Sequence, residues 1–245
     1  MLRIRALSRS LVLEYALVMA SARVDIISIG CLSKNLIWGE QSAVRTPHAT
    51  TTLLRVGKRH ILVDPGLPPA VLAARLYERT GLKPDKIDTV FLTNFRPAHR
   101  AGVSLFTHAK VLICEAERET VRPGLERIKQ ELGDESDEAR VIDRELAILD
   151  ATQVADDKIA EGIDLFPLPG FTAGTCGLLI SQPTMTILVA GDAIPTQEHF
   201  LVTQALPGSF DVAKVGESMR EVYEIADLVV PGHDNIFVNP RMQGM

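Results

Sequence analysis

Leu92-Thr93-Asn94-Phe95-Arg96-Pro97-Ala98-His99 is the stretch on which the reading of this chain turns. It closes a β-rich run, Asp88 to Thr93, and changes abruptly into an amide, a guanidinium and an imidazole held within six residues. Polar groups gathered where an apolar strand stops are where layered folds place their chemistry. Working outward, four other segments have the same form: Asp64-Pro65-Gly66, Gly170 to Gly177, Gly191-Asp192-Ala193 and Pro231-Gly232-His233-Asp234. The strands expected around them are Val24 to Ile29, Thr51 to Val56, Ile61 to Val63, Lys110 to Cys114, Ala147 to Leu149, Asp164 to Leu168, Gly177 to Ile180, Thr186 to Val189 and Leu228 to Val230. Gly57-Lys58 reads as a hairpin turn, and helices are expected over Pro68 to Leu82, closed by Gly81, and Val212 to Ile225. Strand clusters in both halves, with little strict βα alternation, predict an α/β layered fold of two sheets covered by helices rather than a doubly wound parallel sheet.

The chain has 245 residues, 46% apolar and 23% charged, with a net charge of −5. This is enough for a sizeable core and far from disordered or low-complexity compositions. A sequence pI near 5.7 with no dense Lys/Arg stripe argues against nucleic-acid binding, which needs clustered cations, and leaves a small molecule or another protein as the expected partner. Residues 115 to 140 hold nine acidic and five basic side chains and read as a solvated helical face and loop. Cys31, Cys114 and Cys176 are widely spaced, so neither a disulfide framework nor a cysteine zinc site is indicated, in keeping with a reducing, cytoplasmic compartment.

Residues 1–23 are set apart as an N-terminal extension, with 24–245 as the folded domain. Arg3, Arg5 and Arg9 precede the apolar stretch Leu11 to Ala20, and Ala20-Ser21-Ala22 is similar to a secretory cleavage pattern. Glu14 interrupts that stretch, which favours an amphipathic helix or a true start at Met19 over export. No other stretch reaches the length of a membrane span.

Taken in order, the five loop segments resemble those of the metallo-β-lactamase superfamily. Val63-Asp64-Pro65-Gly66 is similar to its Val-Asp-Thr-Gly turn, and Leu92 to His99 falls where the family has Leu-Thr-His-x-His-x-Asp-His. Leu168 to Thr175 is similar to the Pro-Gly-His-Thr-Pro-Gly-Ser turn, and Ala190-Gly191-Asp192-Ala193 and Val230-Pro231-Gly232-His233 resemble the last two motifs. The resemblance covers nearly all of residues 24 to 240 and implies an αββα sandwich.

It also implies seven metal-binding positions for two zinc ions, and here the chain departs. They fall at 94, 96, 98, 99, 171, 192 and 233, of which His99, Asp192 and His233 alone are ligands of the expected kind. Asn94, Arg96 and Phe171 occupy the first metal position: an amide oxygen is a poor zinc ligand, a phenyl ring has no lone pair, and a guanidinium has no acceptor and repels a cation. Ala98 replaces the Asp of the second. Two readings follow. In the expected one the two-metal centre is dismantled, Arg96 pairs with Asp192 in place of a metal, and the protein binds a ligand with little hydrolytic activity. In the alternative, His99, Asp192 and His233 hold one zinc or iron ion for hydrolysis of an ester, thioester or amide, with Asp192 and His233 at the catalytic centre. A third possibility is an interaction scaffold.

Asp64 is expected to brace the loop carrying His99 rather than to act on substrate. His199 is expected on an exposed helix face, with replacement of a lost ligand as the alternative. His48, His60 and His108 lack ligand spacing. Cys176 is weighed as a nucleophile facing the cleft beside Arg96, a role for which it lacks an evident base. Oligomeric state and substrate are not legible.

Overall fold

A computed structural model describes residues 21–132 and 136–244 of the chain. The signal-like segment before Ser21 therefore lies outside the described residues. Two six-stranded sheets stack face to face. The first runs β1 (Arg23–Ser28), β2 (Thr51–Val56), β3 (Arg59–Val63), β4 (Thr89–Leu92), β5 (Lys110–Ile113) and β6 (Thr152–Val154) in sequential order. Its first two pairs are antiparallel and the rest parallel. Val56 pairs with Arg59 across Gly57-Lys58, and the left-handed φ of 57° at Gly57 makes that two-residue turn.

The second sheet contains β7 (Lys158–Ala160), β8 (Ile163–Pro167), β9 (Cys176–Ser181), β10 (Thr186–Gly191), β11 (Leu228–Pro231) and β12 (Phe237–Val238), with β10 and β11 parallel. Between the sheets lies a core that includes Leu54, Ile61, Val63, Phe91, Leu178, Ile187 and Val230. Their alternation along strands is what commits one face of each sheet to the interior.

Helices cover both outer faces. On the first sheet lie α1 (Pro69–Thr80), the short α2 (Pro97–Arg100), α3 (Glu115–Leu132) and α4 (Asp137–Asp150). Leu72 and Leu76 of α1, one turn apart, pack on Leu62, Val90 and Leu92. On the second sheet lie α5 (Gln197–Leu201) and α6 (Val212–Ile225), where Val215, Met219 and Val222 pack on Leu188 and Val229. The order helix, sheet, sheet, helix is the αββα sandwich expected above.

One strand expectation is overturned. Ala147 to Leu149 lies in the last turn of α4, and the strand follows at Thr152. Ser136 caps that helix by accepting from the Ala139 N–H, and Leu149 is buried at helical spacing, so a short apolar run there belongs to a helix face.

Candidate metal centre at the strand ends

Parallel pairing decides where the loops gather. β3 with β4, and β10 with β11, end at the same edge of the sandwich, and each delivers one of the segments above. Asp64 follows β3, Asn94 to His99 follow β4, Asp192 follows β10 and His233 follows β11. The sheets are tied there by the Cys176 N–H donating to the Thr93 carbonyl at 3.0 Å.

His99 is buried and held at both ring nitrogens. Its Nδ1 lies 2.9 Å from Asp64 Oδ2 and its Nε2 lies 2.8 Å from Asp192 Oδ2. Asp64 is itself fixed, Oδ1 accepting from the Thr93 N–H at 2.9 Å and Oδ2 from the Thr93 hydroxyl at 2.7 Å. His233 donates Nδ1–H to the His48 carbonyl at 3.0 Å, which turns Nε2 to within 3.0 Å of Asp192 Oδ1. The two rings meet edge-on, 5.6 Å between centroids. Donor atoms of His99, Asp192 and His233 lie within 4.8 Å of one another, close enough to hold a metal ion.

Each imidazole thus has Nδ1 committed to an oxygen acceptor and Nε2 directed at one carboxylate, the arrangement that orients histidines toward a metal. Asp192 Oδ1 is buried, and its approach to His233 does not make a hydrogen bond of adequate geometry, leaving an anionic oxygen that a cation would satisfy. The donor set of two imidazoles and a carboxylate suits zinc or iron.

Charge in this cluster is strongly coupled. Burial works against the His99 cation, but Asp192 and then Asp64 outweigh it and push its pKa up to about 10. Burial also opposes the Asp192 anion, yet His99 and His233 hold its carboxyl far below the usual range. These directions favour an Asp192 carboxylate against a His99 imidazolium, both buried.

The other positions make different contacts. Asn94 accepts the Arg96 N–H at its Oδ1, at 2.9 Å, and so turns its NH2 to donate to Asp192 Oδ2 at 3.1 Å, the opposite of a ligand's role. Arg96 does not form the expected pair with Asp192. Its guanidinium is exposed and stacks over the Phe171 ring, 5.3 Å from the centroid, while Asp192 is contacted by His99, His233 and Asn94. A cation–π contact at the rim keeps the planar head partly hydrated, whereas the interior carboxylate already has a nearer imidazolium. Ala98 contributes its carbonyl, which accepts from the Ala49 N–H at 2.9 Å. A cleft of about 370 Å³ lies over Asp192 and His233, walled by Leu32, Pro47, Arg96, Phe171 and Leu206.

His199 is buried rather than exposed. It lies in α5 with Nδ1 2.8 Å from the hydroxyl of Thr196, the cap of that helix, and burial lowers its pKa; it lies outside the three-residue donor cluster. Cys176 is a buried thiol whose pKa is pushed well up by the neighbouring Cys114 and by burial, which disfavours its thiolate. Cys114 is the low-pKa partner, brought to about 6 first by the neighbouring Cys176 and, against burial, by the Ala116 and Glu117 N–H groups at the start of α3. Sequence reasoning missed both Cys114 and the His48 carbonyl. A backbone acceptor leaves no side-chain signal, and Cys114 meets Cys176 only across the sheets.

The sequence model of the metallo-beta-lactamase superfamily matches residues 45–233. The chain belongs to this superfamily. The fold is shared with solved structures of low sequence identity. The tm0894 protein of Thermotoga maritima is 17% identical, with 89% of this chain and 99% of that one covered and a TM-score of 0.66. AidC, a dizinc quorum-quenching lactonase in complex with a homoserine product, is 16% identical over 87% of this chain and 85% of its own, with a TM-score of 0.61. An AiiA variant of B. thuringiensis with N-decanoyl-L-homoserine bound at the active site is 18% identical over 87% and 92%, with a TM-score of 0.58. No curated protein sequence matches this chain. Among the described residues no helix is long and apolar enough to cross a membrane.

Proposed function

We propose that this superfamily member is a hydrolase working with one divalent metal ion, zinc or iron, held by His99, Asp192 and His233, on a small-molecule ester, thioester or amide. One observation carries the reading: both imidazoles are anchored through Nδ1 and converge through Nε2 on a buried carboxylate that has an unsatisfied oxygen. The outward position of Arg96 supports it further, because the fixed cation that would have replaced a metal stands at the rim. The first metal position of the family has no donors here, since Asn94 presents its NH2, Arg96 a cation and Phe171 a ring.

A metal bound there supplies Lewis acidity toward a carbonyl oxygen and eases ionisation of water. The protein's own part is positional. Asp64 and the His48 carbonyl fix the ring orientations, and Asn94 and the imidazoles hold Asp192 ionised. Leu32, Phe171 and Leu206 narrow the cleft and exclude water around the acyl group. The reaction adds one water across the acyl bond to give a carboxylic acid and an alcohol, thiol or amine. An ester is the first substrate to try, because two of the structural relatives have an acyl-homoserine bound, in AidC, a lactonase, as a product.

The competing reading, a metal-free ligand-binding homologue, draws on the raised pKa of His99, whose imidazolium can satisfy Asp192 by itself. Elemental analysis of protein purified without chelators separates the two. The hydrolase reading expects near-stoichiometric metal that is lost in His99→Ala and His233→Ala, and a higher Tm when zinc is returned to stripped protein. Metal-free protein whose Tm ignores added zinc would overturn it.

A further inference from the structure

A second cavity, of about 600 Å³, opens beside the cleft between α3, α4 and the loops after β4 and β8. Phe95, Val121, Leu125, Ile128, Val141 and Phe171 give it an apolar lining. Its size and character are those of a small-molecule site rather than a packing defect. Four charged residues also line it, and three are already engaged. Arg100 pairs with Glu145, and the buried Glu117 accepts from the Phe95 N–H and the Thr172 hydroxyl. Arg96 alone among them presents a charge with no carboxylate partner.

Arg96, Phe171 and Gly208 line both this cavity and the cleft over Asp192 and His233. The stacked Arg96–Phe171 pair is therefore the partition between an apolar chamber and the metal-binding cleft. A ligand lying across it has a tail in the chamber and an acidic head within reach of the guanidinium, which can grip a carboxylate through two parallel N–H donors.

We propose that the chamber between α3 and α4 binds the alkyl tail of a carboxylic acid whose carboxylate is held by Arg96, so that substrates of the neighbouring centre are esters or thioesters of medium-chain alkyl acids. The substrate clause rests on the hydrolase reading; the binding of the acid does not.

Calorimetric titration of the EDTA-treated full chain with sodium decanoate, sodium butyrate and decanol tests it. Decanoate is expected to bind at one site, butyrate at least tenfold more weakly for want of a tail, and decanol at least fivefold more weakly for want of a charge. Arg96→Gln should bring decanoate to the level of decanol. Gly124→Leu is the complementary variant: Gly124 lines the chamber, a Cβ there meets nothing within 4 Å, and leucine improves the helix while filling the space. It should weaken decanoate at least tenfold with Tm unchanged or raised. Absence of decanoate binding, or binding indifferent to chain length and to both variants, overturns the inference. Because the titration is metal-free, its failure beside intact metal binding and esterase activity would strike this inference alone; a metal-free, inactive protein that still binds decanoate would strike the hydrolase reading alone.

Discussion

Gly232 stands against Asp192 with no room for a methyl group, since a Cβ there would lie 2.7 Å from Oδ1. Gly191 faces Thr93 in the same way and takes a φ of 54°, so the turn that presents Asp192 needs glycine on both counts. Gly232→Ala is expected to displace the carboxylate and weaken zinc binding at least tenfold while circular dichroism stays native. Asp64 bears on the same site from below. Asp64→Asn removes one of the two carboxylates that hold the His99 proton, which should lower the His99 pKa in an NMR titration of the stripped protein and cost about 3 kcal/mol in urea unfolding. Which residue types could bind a metal was readable from the sequence, as was the loss of donors at Asn94, Arg96 and Phe171. The direction of Arg96 was not, because an arginine can reach either a carboxylate or an aromatic face, and the choice depends on how much water each leaves around it.

Elements set the precision of that site. α6 begins at the Asp211 cap, whose carboxylate accepts from the Lys214 N–H at 3.0 Å, and the adjoining backbone ties the loop of Phe171 through Phe210 N–H to Phe171 carbonyl at 3.0 Å. Asp211→Ala should cost about 1 kcal/mol in chemical denaturation, the usual loss for an N-cap. α3 has a different consequence at its start. Cys114, with its pKa lowered there, should be alkylated by iodoacetamide at neutral pH well before the buried Cys176, a ratio that peptide mass spectrometry reads directly. Strands and helices with strong periodicity, such as Thr51–Val56 and Val212–Ile225, were legible to the residue. The three-residue strands β6 and β7 and the two-residue β12 were not, since so short a run has no measurable period and owes its conformation to the neighbour it pairs with.

For the whole molecule the buried charges link stability to pH. His99, raised from an ordinary 6.5 to about 10, contributes stability that is full below pH 6.5 and lost as pH rises through 10. Asp192, depressed below an ordinary 3.8, contributes stability that is present above that value and lost as pH falls. The stripped protein should accordingly have its highest Tm between about pH 4 and 6.5, declining on both sides in a calorimetric pH series. Metal binding must expel the proton between His99 and Asp192, so zinc titration near pH 7 in buffers of different ionisation enthalpy should report release of about one proton per ion.

The sequence by itself determined the layered class, the five loop segments and the set of atoms from which a site could be made, because hydrophobic period and residue chemistry are local properties. Tertiary structure alone decided that Asp64, His99, Asp192 and His233 meet in one dry cluster, that His48 lends it a carbonyl, and that Arg96 stands at the rim over Phe171. Those outcomes depend on which strands end side by side and on how deeply each charge is withdrawn from water, and both are settled only when the two sheets close on a common core.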